Sequence, residues 1–516
     1  MRQKISLAVA VLAASAAFAK PAPTMAPVIT EATVLIRDAS IASTFSLANV
    51  LDAILKPASA SPAARESLLR TLLASYNGSS QPNPISGLDM PYPPRAEARL
   101  DPRQLLSTTT GMVPVGLFNR IDLAPKDGSD CGEYRIVFSD RDSQFLIIFE
   151  AKLANPGRGM RSCKPLAAAW QKIGAERDSA TRLALLKTLY FTGLPGFGPV
   201  VKLGNYGGAL GQIRTNSIRG GDGIWELREF RAERFGGITV FDHVPVNASP
   251  FAPLWSAAQP GETLLRASER VAFQQAFVAR HFAELTEPER QIASFDPAGP
   301  AGAVKLQAYK IQVINRIGAV PDLRFNEFRS NSGNDATNPR NPQLGQVFTS
   351  AATITHDNGR RMVTAAHLRE RASVMTCGGC HTQSSNKEVG QVMIGAVPTP
   401  IVWPESKGFT HIDFNRLSSN DPLFGISPAL EKAFLPFRKD SVAAVLALSL
   451  ANDPRATSMS RAQQADRRRI AVQAFALAKP DGDTPAARAE YSRAIADYRS
   501  ADAQKPGYFQ EYRLPH

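Results

Sequence analysis

The chain reads as an α+β multidomain protein, with a β-containing central domain followed by a mainly α-helical one. Three observations predict this. Its 516 residues, 44% of them hydrophobic, are enough for two or three separate cores. Between Tyr134 and Phe149 apolar residues first alternate with polar ones and then run together, which is a strand signature. The tail instead carries helical spacings opened by Ser427-Pro428 and Thr484-Pro485, each an N-cap followed by proline at the first helical position.

The chain opens with a basic stretch (Arg2, Lys4), an apolar run from Ile5 to Ala14 and the triplet Ala17-Phe18-Ala19. That order is a secretory signal peptide over residues 1–19, cleaved before Lys20. The apolar run is shorter than the roughly 20 residues a membrane span needs, and no later run reaches about 18. The expectation is an exported protein, periplasmic or secreted, with no membrane span in the mature chain.

Residues 20–110 form an N-terminal helical and Pro-rich region. Leu68, Leu69, Leu72 and Leu73 make one face of a helix from Ser61 to Tyr76, and Pro91-Tyr92-Pro93-Pro94 reads as a connector. Residues 111–345 form an α+β domain of unassigned role. In it Tyr134, Ile136 and Phe138 alternate with polar neighbours, Ser139 to Ser143 makes a turn, and Phe145 to Phe149 is a strand buried on both faces. Helices follow near Pro165–Ala175 and Ala180–Tyr190, then strands near Ile224–Phe230 and Ile238–Val246. The glycine-rich stretch from Gly193 to Gly221 lacks the third glycine of a dinucleotide loop, since Val201 stands there, and reads as turns. A helical pattern runs from Pro260 to Gln312, and a polar loop from Ser330 to Pro342 leads to the last domain, 346–516.

The net charge of +13 excludes little by itself. The basic residues are scattered, and the one compact run, Arg467-Arg468-Arg469, reads as the solvated face of a helix rather than a nucleic-acid patch. An acidic protein partner, attracted over a distance, suits this balance better. No P-loop, H-E-x-x-H or G-x-S-x-G occurs, which removes the commonest hydrolase sites legible in sequence.

There are four cysteines and seven histidines, and two of the cysteines stand in Cys377-Gly378-Gly379-Cys380-His381. This C-x-x-C-H pentad is a haem-attachment motif: two thiols form thioethers with the vinyl groups, and the adjoining imidazole takes an axial position on the iron. A thioredoxin-type redox pair would require a βαβ context with the motif at a helix start, whereas here a helical pattern precedes it. A zinc site would need further ligands, and no second C-x-x-C or H-x-x-x-H supplies them. In an oxidising compartment the other two cysteines, Cys131 and Cys163, form the expected disulfide.

The pentad, the helical pattern from Arg361 to Met375 before it and Val389-Gly390 after it resemble the small c-type cytochromes. In that family a helix delivers the motif and a glycine-containing loop follows the haem histidine. The resemblance implies one covalent haem c, held through Cys377 and Cys380, with His381 as proximal ligand. His356 and His367 lie upstream and read as structural.

The sixth ligand has three candidates. Met393 is close to the pentad, and Met459 lies at the range usual in the family but in a polar setting. His411 stands in Gly408-Phe409-Thr410-His411-Ile412-Asp413, where extended alternation puts it on one face with Phe409 and Asp413, the latter placed to orient the imidazole. The alternatives are an ordinary half-exposed strand histidine and an open sixth position. A histidine pair would give a lower potential than a His/Met pair. In the tail, a helix from Ser427 limited by Pro436, one near Gln463–Ala478 and one after Thr484 would wrap the haem edge.

The function these readings predict is electron transfer by an exported monohaem c-type protein, with a redox partner protein that carries acidic charge. Two alternatives stay open at this stage: a haem-dependent oxidoreductase with a substrate site in the central domain, and a binding protein with a structural metal site.

Overall fold

The structure, a computed structural model, describes residues 28–244 apart from 56–58, 83–88, 125–127, 158, 208–209 and 220–225. It also describes 354–448 apart from 357–358, 375–379, 382–383, 409 and 414–422, and between these two parts only Leu285 and strand pieces at 249–250, 291–295, 304–308, 326–327 and 330–331. Residues 1–19, expected to be a signal peptide, Cys377, Phe409, Met459, Arg467-Arg468-Arg469 and the tail helices expected at 463–478 and after Thr484 lie outside the described residues.

The centre is an eight-stranded antiparallel sheet. Its strands are β1 (Leu35–Ile36), β2 (Val113–Arg120), β3 (Asp130–Ser139), β4 (Phe145–Ala154), β5 (Gln212–Ser217), β6 (Glu226–Phe235), β7 (Ile238–Val244) and β8 (Ser330–Asn331). They pair in chain order from β1 to β6, and β7 and β8 share the far edge of β6. The hairpin expected at Tyr134–Phe149 is β3–β4, with Ile136 opposite Phe149 and Phe138 opposite Ile147. It reaches further than alternation alone indicates, because its ends carry charged residues that are also buried.

The two faces of this sheet differ in chemistry. One carries Leu117, Tyr134, Ile136, Phe138, Ile147, Phe149 and Ile213, all at most 2% exposed. Against it pack α1 (Leu47–Leu55), α2 (Pro62–Ala74), α3 (Lys164–Ala175) and α4 (Ser179–Lys187) with the segments around them. Trp170 of α3 stacks on Tyr134, and Tyr76, just after α2, meets Phe145 edge-on and hydrogen-bonds Thr215 at 2.6 Å. The start of α2 follows from its sequence: Ser61 Oγ accepts from Ala64 N–H, and Pro62 needs no donor at that position. The disulfide between Cys131 and Cys163 is formed, tying the start of β3 to the turn before α3.

The opposite face is ionic and also buried. Partnered residues point to the same side of a sheet, so Phe118 and Arg120 of β2, Glu133 and Arg135 of β3, Glu150 of β4, Arg214 of β5 and Glu229 and Arg231 of β6 share it. Arg135 bridges Glu133 at 2.6 Å and Glu150 at 3.2 Å, and Arg214 lies 3.0 Å from Glu229, which also takes Arg231 at 2.7 Å. A row of alternating charges across neighbouring strands replaces the water such groups would otherwise need.

In the later part, β9 (Ile354–His356), β10 (Arg361–Val363), β11 (Glu388–Ile394) and β12 (Val397–Val402) form a second antiparallel sheet, with α5 (Ala365–Ser373) between β10 and β11. A short ladder of β13 (Ile412–Asp413) and β14 (Gly425–Ile426) leads into a helical stretch ending in α6 (Leu435–Ala447).

Four expectations are corrected here. The helix before the pentad does not begin at Arg361: residues 361–363 pair with β9 and β11, and Thr364 starts the helix through a capping box with His367. Val389 and Gly390 are not in a loop but in β11, where Gly390 stands opposite Ile401. Pro436 does not end its helix. A π-turn at Leu430–Phe434, closed by Leu435 N–H bonding Leu430 C=O, comes just before it, and the chain then continues as α6. Such a widened turn shifts the register where proline lacks a donor and crowds the previous turn. Within the helical pattern read over 260–312, Gln291–Phe295 and Val304–Ala308 pair as strands, consistent with the alternation Val304-Lys305-Leu306-Gln307.

Candidate metal centre

The described half of the pentad is Cys380-His381. Ahead of it α5 is fixed from three sides: His367 closes the capping box and reaches Glu388 at 3.0 Å, Leu368 and Ala372 are fully buried, and Arg371 donates to Val389 C=O on β11. Cys380 is fully buried with its sulfur 3.3 Å from Ser406 Oγ. Burial pushes its thiol up to about 11, so it stays protonated near neutrality. His381 keeps part of its surface exposed, but its Nε2 is enclosed, and burial lowers the imidazole to about 4. The ring is therefore neutral at pH 7, the form that offers a lone pair to a metal.

The partner side chain comes from beyond β12. His411 is 1% exposed, and its ring stacks on that of His381 with centroids 4.6 Å apart and planes 26° apart. Phe434 lies 5.1 Å from the His411 ring, and Trp403 meets Phe434 edge-on at 5.8 Å. Sequence alternation misread the local backbone. His411 is not in extended conformation but at φ +61°, in a turn that begins at Gly408, itself at φ +63°, whose C=O accepts from His411 N–H. Two left-handed residues so close break the period of two that would have aligned His411 with Phe409 and Asp413.

The group that orients the imidazole is Ser427, which sequence reasoning recognised only as a helix cap. Its Oγ lies 2.8 Å from His411 Nδ1 and accepts from Leu430 N–H at 3.3 Å, while its own N–H bonds His411 C=O at 2.9 Å. A hydroxyl oxygen has two lone pairs, so it can accept from Nδ1–H as well as from Leu430. In that tautomer the lone pair of His411 stands on Nε2. Hydrogen bonding of one ring nitrogen to hold the other for a metal is the usual arrangement of a ligating histidine.

The segment is also braced from the central sheet. A Cβ on Gly116 of β2 would come within 2.7 Å of Ile412 Cδ1, so glycine there lets the residue after His411 lie down on the ionic face. Arg37 donates to Phe424 C=O at 2.7 Å and accepts from Phe424 N–H, holding the approach to β14.

Met393 lies elsewhere: it is half-buried in β11 opposite Pro398, with its N–H on Arg360 C=O. Of the described candidates it is His411 that meets His381. Among the described residues no three His, Cys, Asp or Glu side chains converge on one point, and no helix is long and apolar enough to cross a membrane. No protein family, curated protein or solved structure matches the chain.

Proposed function

We propose that this chain is an exported monohaem c-type protein that transfers electrons, with Cys377 and Cys380 as attachment residues, His381 as proximal ligand and His411 as the ligand opposite. The observation that carries the reading is the face-to-face contact of the pentad's histidine with a second histidine, brought by a separate segment and oriented through Nδ1. Two imidazoles, that of His381 neutral, and the thiol of Cys380 are a donor set that fits haem c. The two rings are in contact, so a group held between them would part them.

A covalently held haem supplies a one-electron couple whose potential follows its axial ligands and surroundings. The chain's own residues then have defined tasks. Ser427 fixes the His411 ring, and Trp403 and Phe434 keep water from the imidazoles. Gly116 and Arg37 hold the His411 segment to the central sheet, so that this ligand sits on a rigid support. The basic charge of the chain suits an acidic redox partner.

The test is a pyridine haemochrome spectrum of the chain produced with c-type maturation, beside Cys377→Ala and Cys380→Ala. Covalent haem in the parent and its loss in the variants is expected. A parent without covalent haem would overturn the proposal. A sulfur-to-iron charge-transfer band in the oxidised protein would remove His411 as ligand in favour of Met459 or Met393.

A further inference from the structure

We propose that Arg438 anchors a buried carboxylate subsite one side chain away from the histidine pair. Arg438 lies on α6, one turn beyond Phe434, and its side chain is 2% exposed. Its guanidinium carbon sits 5.7 Å from the Phe434 ring and 5.6 Å from the Phe118 ring, between the wall of the histidine site and the ionic face of the sheet. Contact therefore runs from His381 to His411, Phe434, Arg438 and the sheet.

The carboxylates buried in that face are already engaged by other arginines when Arg438 is added. These carboxylates are Asp122, Glu133, Glu150 and Glu229. Each of these carboxylates already bridges another arginine: Asp122 takes Arg120, Glu133 takes Arg135, Glu150 takes Arg135, and Glu229 takes Arg214 and Arg231. Arg438 Nη1 is enclosed and has no hydrogen-bond partner among the described residues. Burial, with Arg120 and Arg135 adding repulsion, presses the Arg438 guanidinium well below its ordinary range. Arginine does not give up its proton in proteins, so the cost can be relieved only by an anion. A guanidinium with a nitrogen free to donate, flanked by aromatic rings, selects a planar carboxylate over a spherical halide.

Two sources could supply that carboxylate. One is a propionate of a haem held by His381 and His411, which rests on the reading above. The other is a free small carboxylate. The test uses the full chain made with and without c-type maturation, titrated with sodium propionate against sodium chloride at constant ionic strength while the melting temperature is read. Arg438→Met and Arg438→Lys are carried in parallel.

The haem-free parent should show a saturable rise of a few degrees that chloride does not give. Arg438→Met should lose the response, and without propionate its melting temperature should equal or exceed that of the parent, because it removes a buried charge that lacks a counter-ion. A haem-loaded parent that no longer responds identifies the prosthetic group's own carboxylate as the occupant, and one that still responds identifies a free anion. If maturation yields no covalent haem, the haem-free arm still decides the subsite. A haem-free parent indifferent to propionate would overturn the proposal, as would an Arg438→Met protein that melts several degrees lower yet keeps the response. Should that variant fail to fold, Arg438→Lys decides: its response should weaken, and an unchanged one refutes the role of the guanidinium.

Discussion

Replacing Ser427 by alanine separates the candidate site's geometry from its mere composition. The hydroxyl performs two tasks, capping the helical stretch through Leu430 N–H and holding His411 Nδ1. Loss of a serine cap costs about 1 kcal/mol. Leaving the buried Nδ1 without this contact costs a further 1–3 kcal/mol or so. The two contacts share one oxygen and are not strictly additive, which places the total at about 2–4 kcal/mol. Urea unfolding of Ser427→Ala and Ser427→Thr measures it: the alanine protein should unfold at a clearly lower midpoint with unchanged slope, and threonine should restore most of the difference. Nitrogen NMR of His411 should show the Nδ1–H tautomer in the parent and a weaker preference in the alanine variant. An alanine protein within about 0.5 kcal/mol of the parent, with the tautomer unchanged, would refute the reasoning, because that is the range of an ordinary surface substitution.

Two further outcomes follow from the central sheet. Cys131 and Cys163 are 32 residues apart, a loop for which chain-entropy arguments give about 4 kcal/mol; Cys131→Ala/Cys163→Ala should lose most of it, and the parent unfolded under reductant should match the double variant. A parent midpoint that ignores reductant would show that the bond carries no stability. His243, beside the Tyr92 and Phe230 rings and 3.2 Å from Ser79 Oγ, is lowered to about 3, first by burial and then by Arg228. The folded chain keeps it neutral while the unfolded chain protonates it below about 6.5, so its contribution is whole above that pH and is lost as the pH falls toward 3. The slope is at most about 1.4 kcal/mol per pH unit, and His243→Gln should flatten the acid limb of a stability–pH curve by that amount. Superimposable curves for the two proteins would contradict it.

What sequence could and could not reveal here has a physical pattern. The β3–β4 hairpin was legible because alternation reports directly which residues share a face. The disulfide was legible because two of the four cysteines stand together in the C-x-x-C-H pentad, which leaves Cys131 and Cys163 as the other pair. Alternation does not report what covers a face. Glu133 and Arg135 alternate with apolar neighbours in sequence, yet both are buried, as are Glu150, Arg214 and Glu229. His411 was legible as a candidate from its residue type and place in the chain, but its orientation was not, since that depends on two left-handed residues and on Ser427 far along the chain. Arg438 escaped entirely. In Pro436-Phe437-Arg438-Lys439-Asp440 it looks like any polar helix residue, and only the packing of α6 over an ionic face makes it unusual.

That ionic face also accounts for how the site is held in register. A sheet whose two faces were both apolar could slip by one residue and still bury its side chains. Here a slip of β2 against β3 would carry Phe118 and Arg120 to the apolar side and take Gly116 away from Ile412. A slip of β3 against β4 would part Arg135 from Glu150, and one of β5 against β6 would part Arg214 from Glu229, each a buried pair that costs more to break than it contributes when formed. The pairing of Arg135 on β3 with Glu150 on β4 therefore stabilises one alignment over its neighbours rather than the fold as a whole. His411, Phe434 and Arg438 come from segments that meet the sheet only through side chains and short hydrogen bonds, so their placement is no better than the register beneath them. The buried charges that look costly for a domain of this size are thus what keeps the paired imidazoles and the Arg438 guanidinium in a fixed relation to one another.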